Sequence, residues 1–504
     1  MGASQSSTNE AAVQQQLVQQ LQTLRMKDKV KQQDIERDYV EVETEKDHHG
    51  FSSDPSLSIS TATAWERELL SDPKNRLALS ALLQNDVRNI ISQKVATLPD
   101  IQTFNVKIPF EGAPVTNQRS SGRCWLFATT NVLRVPLMKK HNLKEFELSQ
   151  AYLFFWDKLE KANWFLEQVL DTCDEDLDSR LVQELLGAPV NDGGQWDMAA
   201  NLVSKYGLVP QTLYPDSYNA MNSSAMGSII TTKLREDALV LRSMEKSATR
   251  SSILATKAKM MQEVHCILTL MLGPPPKPDE KFAWEYYDAN DKFHRVSKTP
   301  LDFANELSTP AAVRTLGTNV SSLFSLVNDP RNAYMKLLTV DRLGNVVGGR
   351  PITYVNVDML TMKQAAVAML KAGLPVFFGS DVGKFSNSSS GIMDTALYDY
   401  KLAFNISLNM SKSQRLKARE SAMTHAMVLT GVQVDDGKSV RWRVMNSWGD
   451  SAGTKGYFVM SDEWMDQFVY QVVVDPAYVR KDVKDVLKQE PKVLNLWDPM
   501  GALA

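Results

Sequence analysis

A thiol at position 124 stands where a sulfur can become a nucleophile. In the stretch Gln118-Arg-Ser-Ser-Gly-Arg-Cys124-Trp125 the cysteine opens a run, Trp125 to Lys140, with helical periodicity. Its sulfur is therefore predicted at a helix N-terminus, where the macrodipole favours an anion. A cysteine nucleophile needs a base, and the base needs a group to aim it. Far downstream, Thr424-His425-Ala426 is followed by Asn446-Ser447-Trp448-Gly449. Cys124 as nucleophile, His425 as base and Asn446 as orienting group would together perform acyl transfer through a covalent intermediate. The other histidines serve less well: His48 and His49 lie in a polar leader, His141 in a turn and His294 in a hairpin. His265 adjoins Cys266, but neighbouring helical positions do not face each other. Cys173 and Cys266 read as packing residues. Asn446 taken alone is as readily a strand-end residue, and its place after the histidine, ahead of Ser-Trp-Gly, favours the orienting role.

A free thiol titrates near 8.5 and a thiolate paired with an imidazolium near 3–4, a difference of roughly 7 kcal/mol in favour of the anion. A helix end contributes about 0.3–1 kcal/mol, at most about 2. The dipole alone is too weak, so a protonated His425 in contact with the sulfur must carry most of the shift.

Cysteine, then histidine, then asparagine is the chain order of papain-type proteases. Gln118, Gly122, Cys124 and Trp125 match that pattern, whereas Ser121 and Arg123 depart from it. His425 lies 301 positions beyond Cys124 (425 − 124), about twice the typical 130–150, so a large insertion separates the two halves of the site. Ser121-Gly-Arg-Cys-Trp125, the insertion and the tail Trp497-Asp-Pro-Met-Gly-Ala-Leu-Ala504 together resemble the bleomycin hydrolase family of papain-like cysteine aminopeptidases. Glu147-Leu-Ser-Gln-Ala-Tyr152, Asp192-Gly-Gly-Gln195, Asn328-Asp-Pro-Arg331 and Asp341-Arg-Leu-Gly-Asn345 belong to the same resemblance, which runs from about Ala64 to Ala504.

The resemblance implies roles for further residues. Gln118, with the Cys124 N–H, would form an oxyanion hole, Trp448 would shield the His425–Asn446 bond, and Trp125 would support the site. Gly193 and Gly194 would let a substrate backbone lie against the cleft wall, although Asp-Gly-Gly is also an ordinary turn. The tail would enter the cleft so that the carboxylate of Ala504 meets the α-ammonium of a peptide. Family likeness also implies a homohexamer, hydrolysis of bleomycin and a link to single-stranded nucleic acid.

The elements that must position these residues can be read from composition and period. Of 504 residues, 43% are hydrophobic and 23% charged, ordinary globular values, and the net charge of −3 with no basic stretches interleaved with aromatics gives the nucleic-acid reading little support. Three cysteines without a CxxC pair exclude a disulfide framework and a zinc site, and imply a reducing, cytoplasmic setting with no metal or cofactor. Mitochondrial or membrane-associated placement is the alternative: Met1-Gly-Ala-Ser-Gln-Ser6 fits the N-myristoylation pattern at Gly2, and one such chain gives only marginal membrane binding.

The expected fold is α+β, a papain-like pair of lobes with a large, mainly helical insertion. Residues 1–62 form a disordered or weakly helical leader, 63–148 N-terminal helices and the nucleophile helix, and 149–350 a helical lobe with the insertion. Residues 351–490 form the β lobe with His425 and Asn446, and 491–504 a C-terminal arm in the cleft. Helices are expected at Gln150–Gln168, Ser179–Leu186, Met198–Tyr206, Ile229–Glu245 and Ile253–Leu272, closed by the proline run after Gly273. A hairpin is expected at Phe282–Tyr287 and Lys292–Val296. Thr361–Lys371 reads as a helix, followed by strands Leu374–Gly379, Ala426–Val434, Ser439–Asn446, Gly456–Met460 and Tyr470–Val474 in an antiparallel sheet.

Overall fold

Cys124 opens the helix Cys124–His141, and every side chain in it from Cys124 to Met138 is buried. A helix enclosed on all sides must satisfy its polar residues internally. Thr130 Oγ1 donates to the Leu126 carbonyl, Asn131 Nδ2 to Thr116 Oγ1 and Arg134 Nη1 to the Pro114 carbonyl. The helix stops at Asn142, whose left-handed backbone (φ 50°) turns its N–H back to the carbonyls of Met138 and Lys139.

The computed structural model describes residues 56–308 and 320–503. The proposed lipidation site Gly2, most of the expected leader, His48, His49 and Ala504 lie outside the described residues. The described residues form two compact units, one from 56–101 with 396–408, the other from 102–308, 320–395 and 409–503. In the first, helix Ile59–Ser71 begins four residues before position 63, because the Ser58 hydroxyl caps it by accepting the Thr61 N–H. Helix Pro73–Leu82 follows, capped by Asp72 and started by its own proline.

The second unit holds the site. After the nucleophile helix come Gln150–Asp171, Arg180–Gly187, Trp196–Tyr206, Ser224–Glu245 and Arg250–Leu272. Ser149, Ser179 and Thr249 cap three of them through their hydroxyls. The fourth begins five residues earlier than its apolar period suggests, since Ser224–Gly227 add a first turn that Met226 anchors in the core. Gly273 (φ 86°) ends the last, ahead of the prolines. The hairpin Phe282–Tyr287/Phe293–Lys298 turns on Asp288, whose carboxylate accepts the N–H groups of Asn290 and Lys292.

Among the described residues the main sheet has twelve strands. Its central strands are antiparallel: Val469–Val474, Val376–Ser380, His425–Asp435, Lys438–Met445 and Tyr457–Ser461. The sequence reading did not foresee the extension beyond Val469–Val474, where Phe324–Val327, Tyr354–Asn356, Lys336–Val340 and Lys492–Leu494 make the sheet mixed. Alternate residues of His425–Asp435 serve opposite faces. Ala426 and Val428 join the core of the nucleophile helix, while Met427 and Leu429 join the core of helix Met359–Lys371. A strand buried on both faces reads as one continuous apolar run.

Candidate active site

Two elements carry the expected nucleophile and base. Cys124 lies at the first turn of its helix and His425 at the first residue of a central strand, and the backbone N–H of Ala426, next to His425, donates to the Cys124 sulfur. Cys124 is 2% exposed and His425 4%. The His425 Nε2 is 2.8 Å from Asn446 Oδ1. A carbonyl oxygen only accepts, so Nε2 carries the hydrogen and Nδ1 is left to take a proton. Asn446 is itself fixed: its Oδ1 also accepts the Ser447 N–H at 2.8 Å, and its backbone N–H donates to the Gly456 carbonyl. The Trp448 ring lies 4.8 Å from the imidazole, centroid to centroid, tilted by 33°.

Burial sets the electrostatics. It pushes the Cys124 thiol up to about 11, against the N–H donors of Ala426 and Trp125, and the Asp192 charge pushes the same way. It pushes His425 down to about 4, against the Asn446 bond. Each group alone prefers its neutral form, so the helix end does not make the thiolate by itself. With both groups buried, a charged sulfur is favoured only where a charged ring faces it.

Gln118 is held at both ends of its amide. Oε1 accepts from the Ser447 hydroxyl and Nε2 donates to the Ser121 carbonyl, both at 2.7 Å, and its backbone N–H donates to the Ser447 carbonyl at 2.8 Å. One of the two Nε2 hydrogens is thereby used. Ser447 thus links the asparagine loop to the glutamine loop, a role the sequence reading did not assign.

Around Trp125 the geometry adds a requirement to the expected one. Its indole N–H donates to the Asp192 carbonyl at 2.7 Å, and the Lys161 ammonium lies 5.3 Å from its ring centroid. A Cβ on Gly194 would stand 2.4 Å from the Trp125 ring, so packing alone demands glycine there. The Gly193 carbonyl accepts from Lys161 Nζ at 2.5 Å. The Asp192 carboxylate accepts from Gly122 N–H, the Ser223 hydroxyl and the buried Lys158, which bring it to about 2 against the opposing effect of burial.

The C-terminal arm is tied at two points. Asp498 pairs with Arg331 at 2.7 Å, and Arg331 is in turn held by Asp329. Gln195 Nε2 donates to the Ala502 carbonyl at 2.8 Å, one residue from Gly194, and Leu503 packs on the core that contains Cys124. The Asn328-Asp-Pro-Arg331 and Trp497-Asp-Pro-Met500 motifs, far apart in sequence, are the two sides of one ion pair.

An α+β fold with a buried nucleophile helix against a sheet carrying histidine and asparagine is papain-like, and its class is the cysteine peptidases. The chain belongs to the peptidase C1-like family, whose sequence model matches residues 56–501. It is 44% identical to human bleomycin hydrolase over 462 residues, which is 90% of this chain and 100% of that protein. It is also 44% identical to the mitochondrial cysteine proteinase 1 of Saccharomyces cerevisiae strain S288c over 459 residues, 89% of this chain and 93% of that protein. The crystal structure of PepW from Lactobacillus rhamnosis HN001 is similar with a TM-score of 0.84 and 42% identity, covering 89% of this chain and 100% of that one.

Proposed function

We propose that the chain is a thiol aminopeptidase acting on peptides with free N-termini and on the amide of bleomycin, as the name of its 44% identical human relative suggests. The observation that carries the chemistry is the His425–Asn446 contact at 2.8 Å beside a sulfur that accepts the Ala426 N–H. The Cys124 proton passes to His425 Nδ1 as the sulfur attacks the scissile carbonyl. The oxygen gathers charge toward Gln118 Nε2 and the Cys124 N–H. The C–N bond then breaks, and His425 returns the proton to the departing amine. Water, deprotonated by the same ring, releases the acyl group and restores the thiol.

Selection of a free N-terminus is assigned to the arm. Gln195 and Arg331 hold its approach, and the Ala504 carboxylate would meet the α-ammonium. Two unit charges about 4 Å apart at an effective dielectric near 20 attract by about 4 kcal/mol before desolvation. The insertion would contribute to a homohexamer, which sedimentation tests, and the working compartment is cytoplasmic, although the yeast relative is named mitochondrial. The decisive experiment is hydrolysis of an aminoacyl fluorogenic amide with and without iodoacetamide, alongside its N-acetylated counterpart. Activity that survives alkylation of Cys124 would overturn the assignment.

A further inference from the structure

Arg123 stands directly before the nucleophile, is 0% exposed and takes part in no step of acyl transfer. Its guanidinium faces Asp216 in a two-pronged contact, Nη1 to Oδ1 at 2.7 Å and Nη2 to Oδ2 at 3.0 Å. The remaining donors turn to the glutamine loop: Nε donates to Ser121 Oγ at 2.9 Å, and Nη2 reaches the Gln118 carbonyl at 3.5 Å. The Ser121 hydroxyl donates to that same Gln118 carbonyl at 2.6 Å, while the Ser121 carbonyl accepts from Gln118 Nε2. The rings of Phe127 and Phe154 lie 5.2 and 5.4 Å from the guanidinium carbon and fix its plane. The loop needs such support, because Arg119 within it has a left-handed backbone (φ 56°) and the three cysteines of the chain are free, so no cross-link pins it.

We propose that Arg123 is the positioning residue of the oxyanion site: through Ser121 it fixes the direction of the Gln118 amide, and Asp216 keeps its charge neutralised while it does so. The inference rests on Gln118 as the oxyanion donor. A planar fork of five donors faces Asp216 and the loop together, a geometry that the single ammonium of a lysine does not reproduce.

Arg123→Lys, which keeps the charge for Asp216 but not the fork, separates this role from simple folding. Alkylation by iodoacetamide creates no oxyanion, whereas amide hydrolysis does. The variant is expected to lose roughly ten- to a hundredfold in kcat with KM little changed, to bind a peptide aldehyde more weakly in the same proportion, and to be alkylated at the wild-type rate. Ser121→Ala should show the same pattern to a smaller degree and serves if Arg123→Lys does not fold. Wild-type kcat in both variants, or alkylation and hydrolysis falling in parallel, overturns the proposal. Gln118→Ala is the control: if it leaves kcat unchanged, the oxyanion assignment falls and takes this inference with it. If it lowers kcat while Arg123→Lys and Ser121→Ala do not, only this inference falls.

Discussion

His425 is the first residue of its strand and Asn446 the first beyond the strand beside it, and antiparallel pairing brings their side chains to 2.8 Å. Their bond decides which ring nitrogen holds a hydrogen. Asn446→Ala removes it and lets Nδ1 be protonated in the neutral ring, the wrong tautomer for accepting the thiol proton. A fall in kcat/KM of about ten- to a hundredfold is expected, corresponding to a bond of roughly 1.4–2.7 kcal/mol. Steady-state kinetics on an aminoacyl amide measure it, and unchanged kcat/KM would remove Asn446 from the mechanism.

The proposed pairing of sulfur and ring makes a prediction about pH. With His425 replaced by alanine, the Cys124 thiol loses its proton acceptor, and burial, which pushes it up to about 11 in the native protein, still opposes the thiolate. A raised pKa keeps the proton on, so the anionic fraction at neutral pH is small and grows about tenfold per pH unit until that value is approached. The alkylation rate of His425→Ala should therefore climb steadily from neutral to alkaline pH. The wild-type rate should level off at much lower pH, because the ring can take the proton. Superimposable profiles would mean that the imidazole does not assist the sulfur.

Where the sequence was legible, it was so for physical reasons that can be named. The helices after Ser149 and the strands flanking His425 and Asn446 combine periodic runs with clear caps and turns, and most of their expected bounds lie within a few residues of those observed, whereas the helix Cys124–His141, buried on all sides and without a side-chain cap, is marked by its long unbroken run alone. Phe324–Val327, Lys336–Val340 and Tyr354–Asn356 were missed because short strands buried among both parallel and antiparallel neighbours leave no period to read. Arg123 was visible only as a departure from a motif, since its meaning depends on Asp216, 93 positions away. Gly194 was read through the substrate, and its nearest demand comes from Trp125. Pattern locates elements well; the contact that gives a residue its reason is often non-local.

Gly194 allows a direct test of that point. In Gly194→Ala the new methyl group would lie 2.4 Å from Trp125, and the ring must move. Overpacking of this kind costs about 1–3 kcal/mol, and the displaced ring adjoins Cys124. Both a lower Tm and a lower kcat are expected. Loss of substrate affinity with an unchanged Tm would instead favour the role of substrate-facing glycine.

The arm is testable without touching its last residues. Asp498→Asn removes the charge that Arg331 holds, while the neighbouring Asp329 keeps Arg331 itself in place. Freed at that anchor, the arm should spend less time with its carboxylate at the cleft. Discrimination between a free and an N-acetylated aminoacyl amide should then shrink by about tenfold or more, as the loss of part of a roughly 4 kcal/mol attraction implies. The shrinkage should come mainly from slower cleavage of the free-amine substrate, because the attraction is weakened while Cys124, His425 and Asn446 are undisturbed. Extension of the chain beyond Ala504 should act in the same direction. If neither change alters the ratio of the two rates, the arm has no part in choosing the substrate, and selection of the N-terminus must be sought in the residues around Asp192 and Gly193.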